Sequence, residues 1–161
     1  MGSGLLLRNV ANVVNLSTPL GLVIALSARA KLRFIGGLVV AENARLPLLR
    51  ATAMTVGSVV LVPGQTLEDA VERIPGLIEH ESDHAFQYSY CLGLPFIPLY
   101  FIATAWSWLR SGDRASANHF EVQAGLDRGG YRRRETRPLA AGLADLRRRI
   151  RPGSAPSRVR P

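Results

Sequence analysis

Residues 76–92 read Gly76-Leu77-Ile78-Glu79-His80-Glu81-Ser82-Asp83-His84-Ala85-Phe86-Gln87-Tyr88-Ser89-Tyr90-Cys91-Leu92, and this stretch decides the fold. Pro75 stands before it, and Gly93 and Pro95 stand after it, so the spacing predicts one helix over Gly76–Leu92. On such a helix His80 and His84 lie one turn apart on the same face, and two imidazoles there can reach one cation. Glu81 lies one residue round from His80. Its carboxylate can polarise a water held by that cation without ligating the cation itself.

The flanking sequence predicts what this helix packs on. Leu38–Ala41 is short, apolar and partly β-branched, and reads as a strand. Ala53–Val62 reads as the best strand of the chain, with Gly57 as a bulge and Pro63-Gly64 as the closing turn. Residues 43–50 read as a connection. Thr66 is a plausible N-cap, Glu68 and Asp69 suit the positive end of a helix dipole, and Pro75 ends that helix at Ile74. Downstream come a helix over Leu99–Leu109 and another from Ser116 to about Arg128, which Gly129-Gly130 ends. Leu139–Ile150 reads as a last amphipathic helix, and residues 152–161 as disordered. Leu5–Leu26 is apolar, with helical and loop character, and broken at Ser17-Thr18-Pro19. Three segments follow: an apolar helical one over 1–35, a metal-binding domain over 36–130 and an Arg-rich tail over 131–161. The predicted fold class is α+β, mainly helical, with a small antiparallel sheet.

Composition narrows the chemistry. A chain of 161 residues with 47% hydrophobic residues is long and apolar enough for one cored domain. The net charge of +8 is local: residues 1–130 carry ten Lys or Arg against ten Asp or Glu, and residues 131–161 carry ten Arg against Glu135 and Asp145. Those arginines are accompanied by one aromatic, Tyr131, and by no reading module, so nucleic acid is not the expected partner. Cys91 is the only cysteine, which excludes an internal disulfide and a cysteine metal cluster. Any metal ligands are therefore His and carboxylate.

His80-Glu81-Ser82-Asp83-His84 fits H-E-x-x-H, and this predicts zinc. A catalytic zinc takes three protein ligands and keeps one position for water. The candidates for the third ligand are Glu121 and His119, with Asp127 more remote. Glu121 and His119 are two residues apart, so on a helix they point about 200° apart and cannot easily both bind. Spacing leaves the choice open. The expected chemistry is hydrolysis of a peptide bond, with Glu81 as general base and then acid. His119 or Tyr131 would donate to the oxyanion. The rival expectation is a non-catalytic, membrane-associated protein whose zinc site is structural or vestigial.

His80-Glu81-x-x-His84 followed by a helix bearing Glu121 resembles the gluzincin group of zinc metallopeptidases. Gln87 extends the motif to H-E-x-x-H-x-x-Q. Leu92-Gly93-Leu94-Pro95, an apolar segment and Asn118-x-x-Glu121-x-x-Ala124 follow. This looks like a set of small, poorly characterised bacterial proteins of metallopeptidase type, over roughly residues 53–130. The resemblance implies that Glu121 is the third ligand, that Glu81 is the catalytic acid and base, and that a zincin-like helix packs against the sheet. The chain departs from the pattern in the polar Ser82-Asp83, where Asp83 either orients His84 or faces solvent. It departs also in lacking a clear substrate-aligning edge, for which Val59–Val62 is the candidate.

Ala85–Leu109 holds no charged residue. Gly93, Pro95 and Pro98 interrupt it, and the remainder is too short to span a bilayer. It reads either as a buried core helix or as one lying in a membrane surface, where Tyr100, Trp106 and Trp108 would favour the interface and the Arg-rich tail would meet anionic lipid. Arg8, the uncharged Asn9–Ala28 and Ala28-Arg29-Ala30 faintly resemble a signal peptide. Asn12, Asn15 and Pro19 dilute that run, and Arg29 occupies the cleavage site, so cleavage is not expected. The expected location is cytoplasmic or peripheral to a membrane, in a bacterium.

Overall fold

Alternation along two neighbouring strands builds the core. Leu38, Val40, Val60 and Val62 face one side of a sheet, Val39, Ala41, Val59 and Leu61 face the other, and all eight are buried. Strands covered on both faces read as continuous apolar runs, as these do. The computed structural model describes residues 2–47 and 51–150. Residues 152–161 and the end of the 43–50 connection lie outside the described residues.

The elements run α1 Ser3–Val14, α2 Ser17–Ser27, β1 Lys31–Ile35, β2 Leu38–Ala44, β3 Met54–Val56, β4 Val59–Pro63, α3 Leu67–Arg73, α4 Leu77–Tyr90, α5 Phe96–Ser111, α6 His119–Ala124 and α7 Leu139–Ile150. The fold is α+β and mainly helical, as expected. The sheet has the order β1-β2-β4-β3. Ala25 of α2, Tyr88 of α4 and Phe96 of α5 cover one face, and Leu67 and Ala70 of α3 with Leu77 and Ala85 of α4 cover the other.

The sheet is mixed rather than antiparallel. β2 and β4 run parallel, with Val40 opposite Val60, and the two outer pairings are antiparallel. Ala53–Val62 is a hairpin and not one bulged strand. Gly57 has φ +64° at its turn, and a Cβ there would lie 2.3 Å from the Thr18 nitrogen. β1 lies in the segment expected to be helical. Its residues are exposed or half-buried, with Phe34 outward, so it carries no buried alternation to betray it. Gly36 and Gly37, both at positive φ, make the two-residue turn to β2.

The helices hold closer to expectation. Thr66 caps α3 reciprocally with Asp69. α5 begins three residues earlier than Leu99, because Pro98 lies in the first turn, where its missing N–H leaves no bond unmade. α6 is shorter than expected. Asn118 Oδ1 caps it by accepting from the Phe120 N–H at 3.0 Å, while the Ser116 hydroxyl donates to Asp113 at 2.7 Å. Gly57→Ala is expected to lower the unfolding free energy by roughly 2 kcal/mol or more, since strain at positive φ adds to a steric clash. Urea denaturation monitored by circular dichroism measures this.

Candidate metal centre

The sheet and α6 fix α4 from two sides, and the polar side chains of α4 meet between them. His80, Glu81, His84 and Gln87 are all buried on α4. Glu121, buried on α6, faces them. One ligand atom from each of His80, His84 and Glu121 lies within 4.8 Å of the others.

The outer nitrogen of each ring decides the charge state of the inner one. His80 Nδ1 lies 3.2 Å from the Ala124 carbonyl and 3.1 Å from that of Gly125, at the C-terminal end of α6. Carbonyls only accept, so Nδ1 carries the proton and Nε2 presents a lone pair. Gln87 Nε2 donates to the Phe120 carbonyl at 2.9 Å, which orients the amide so that Oε1 faces His84 Nδ1 at 2.8 Å. His84 Nδ1 is therefore also a donor. The two Nε2 atoms face each other 3.1 Å apart. Glu121 Oε2 lies 3.2 Å from one and 3.7 Å from the other, and it is buried without a hydrogen-bond partner of good geometry. The Tyr100 hydroxyl donates to the other oxygen, Oε1.

Three acceptors aimed at one point need a cation between them. A proton on His84 is one solution. Burial opposes that charge, but the facing carboxylates of Glu121 and Glu81 outweigh it and push the imidazole up to about 9. Burial likewise works against ionised Glu121, yet both imidazoles and Tyr100 hold it well below the usual carboxylate range. A proton, however, serves one pair of atoms at a time. Ligand atoms about 2.0–2.1 Å from a tetrahedral ion lie about 3.3 Å from one another. The observed 3.1, 3.2 and 3.7 Å match that spacing, so the cluster could hold a metal ion.

The surroundings complete the site. Glu81 Oε2 accepts from the Thr55 hydroxyl of β3 at 2.6 Å. Tyr131 lies with its ring centre 6.0 Å from that of His80, and its hydroxyl accepts from Arg114 at 3.2 Å. Burial and the Glu121 charge push the Tyr131 phenol up to about 12. Gly129 is required: a Cβ there would lie 2.5 Å from His80 Cε1. A mostly apolar cavity of about 410 Å³ is bordered by His80, Glu81, His84 and Glu121, by Met54, Thr55 and Val56 of β3, and by residues of α2 and α5.

Of the residues singled out in the sequence, His80, Glu81, His84, Glu121 and Tyr131 come together. His119 and Asp127 are exposed, and His119 is not among the residues that border the cavity. Asp83 does not orient His84; it pairs with Arg128 at 2.7 Å on the surface. Val59–Val62 has no free edge, because β4 lies between β2 and β3. Of the two edge strands, β1 and β3, it is β3 that lies at the cavity. Thr55, Tyr100 and Arg114 went unread as site residues. Gln87 was visible in the motif, but its role needed the carbonyl of Phe120. No family model, no curated protein and no solved structure matches this chain.

Without metal, the raised His84 stabilises the fold fully below its ordinary value of 6.5, and that contribution fades as pH rises through about 9. The chelator-treated chain is expected to lose stability across this window, and the metal-loaded chain to keep it. Urea midpoints against pH for both forms measure the difference. A flat profile for the chelated chain would contradict the coupling.

Proposed function

We propose that this chain is a zinc-dependent peptidase. The observation that carries the reading is the buried convergence of His80 Nε2, His84 Nε2 and Glu121 Oε2, with the carboxylate of Glu81 beside them. Two imidazoles and one carboxylate form a donor set suited to zinc, and three protein ligands leave a position open. Zinc held there would supply a Lewis acid that brings a bound water to a pKa near neutrality.

The chain's own groups do the rest. Glu81, held by Thr55, takes the proton of the attacking water and passes it to the leaving amine. Tyr131 stays protonated at neutral pH, and because its oxygen accepts from Arg114, its own O–H is free to donate to the developing oxyanion. The edge of β3 can pair with an extended segment, which favours peptides as the substrate class. The apolar walls contributed by α2 and α5 suit apolar side chains beside the scissile bond.

A second reading has one observation in its favour. Every group of the cluster is buried, and α6, with only six residues, is tied to α4 through His80 and Gln87. A structural or vestigial zinc clamping α6 to α4 would also use this geometry. Glu81→Gln separates the two. Under the peptidase reading it keeps zinc and lowers kcat/KM on a peptide library by roughly 10²–10⁴-fold, the usual share of a general base. If the wild type binds zinc and cleaves nothing across that library, the structural reading replaces it.

A further inference from the structure

α1 is turned inside out, and α2 and α5, which pack on the core, leave large apolar side chains outward as well. On α1 the polar residues Arg8 and Asn12 share one face and point inward. Arg8, only 1% exposed, donates to Ser82 Oγ and to the Gly37 carbonyl, both at 2.8 Å. Asn12 donates to the Ala85 carbonyl at 2.8 Å. The apolar face of α1, with Leu7, Val10 and Val14, points outward, and Leu7 is 72% exposed. α2 buries Ser17, Thr18, Gly21 and Ala25 and exposes Val23 and Leu26. α5 buries Phe96, Ser107 and Ser111 and exposes Phe101, Ile102 and Trp106. A helix that packs on a core from water shows the opposite arrangement, and a large exposed apolar patch marks a docking surface.

Two loops sharpen the face. α1 and α2 meet at a bend of 75° with Leu16 at its tip. The α4–α5 loop, touching Asn15 at Gly93, carries Leu92. Leu16 and Leu92 both have left-handed backbone, φ 66° and 61°, and are 60% and 77% exposed. Leucine is neither at ease in that conformation nor gaining from burial here, so an apolar partner outside the chain accounts for both.

Charge points to the nature of that partner. No charged residue occurs in 9–28 or 85–109, and cations stand where these runs end: exposed Arg29 and Lys31 after α2, and Arg110 in the last turn of α5 with its guanidinium 5.5 Å from the Trp106 ring centre. Beside α5, α7 seats Gly142 against the Leu109 carbonyl and leaves a stripe of Leu139, Leu143, Leu146 and Ile150 exposed next to Arg147, Arg148 and Arg149. Apolar faces with interfacial tryptophans and an arginine border suit an anionic lipid surface. Among the described residues no single helix is long and apolar enough to cross a membrane, and α1 with α2 passes that test only as a pair bent by 75°.

We propose that the outward faces of α1, α2 and α5 dock this chain on an anionic lipid bilayer, with the cavity opening on the lipid side. Phe101 borders the cavity while 65% exposed, so the outward face of α5 reaches the mouth of the cavity that His80, His84 and Glu121 border. Resting on the peptidase reading, the substrate class becomes a peptide segment that emerges from, or is anchored in, the bilayer.

Both tryptophans lie on α5, so intrinsic fluorescence reports the contact directly. The full chain is mixed with vesicles of phosphatidylcholine and phosphatidylglycerol in roughly equal parts, and sedimentation and emission are followed at low and high salt. Binding with a blue shift, weakened but retained in high salt, is expected. The Leu16→Asn/Leu92→Asn double variant keeps a side chain tolerant of positive φ, and so an unchanged thermal midpoint, while its vesicle partition falls roughly tenfold or more. Glu81→Gln binds vesicles as the wild type does, which separates docking from hydrolysis. No binding, or binding without a blue shift that high salt abolishes, overturns the proposal. So does a lipid-free dimer that the double variant dissociates, since a second copy would then be the partner.

Discussion

The nitrogens His80 Nε2 and His84 Nε2 face each other across 3.1 Å, and each presents a lone pair because its ring donates through the other nitrogen to an oxygen that can only accept. The unpaired oxygen of Glu121 completes the triangle. Buried acceptors in this arrangement repel one another unless a cation lies among them. The rest of the structure serves that constraint. α6 lends its terminal carbonyls to one imidazole, Gln87 ties α6 to the other, Gly129 makes room for His80, and Thr55 joins the sheet to Glu81.

Much of the site was legible because its chemistry is local. His80, Glu81 and His84 share one helical turn, and the turn geometry brings them together whatever surrounds them. The third ligand was undecided between Glu121 and His119 by spacing, since the choice depends on which face of α6 meets α4. Asn118 caps α6, and on that helix Glu121 is buried against α4 while His119 is exposed. In sequence Tyr100 belongs to an uncharged run that reads either as a core helix or as one at a membrane interface. Its contact with Glu121 spans 21 positions, and no periodicity records it. The strand pairing was hidden for a similar reason. Val59–Val62 and Leu38–Ala41 are visibly strands, but their parallel register depends on the path through β3, and on Gly57 turning the chain where a bulge was expected.

The apolar segments were the most ambiguous to read, and their placement explains why. Ala85–Leu109 contains buried residues of α4, namely Ala85, Gln87 and Tyr88, as well as the outward face of α5. A composition shared by core and membrane surface cannot separate the two; only the burial of Ser107 beside exposed Trp106 does so. In α1 the polar positions recur at the spacing of a helical face, but a buried polar stripe and a solvated one look alike in sequence. The His80, His84 and Glu121 cluster and the outward faces of α2 and α5 meet at the cavity, which α2, α5 and β3 border together.

The account turns most directly on metal content. Wild type and Glu121→Ala, purified without an affinity tag from the same medium, would be dialysed and their zinc per chain measured by mass spectrometry. About one zinc in the wild type and a marked loss in the variant is the expected result for a three-ligand site. No zinc in the wild type after reconstitution would show that a proton alone occupies the cluster, and would contradict the metal centre on which the functional reading rests.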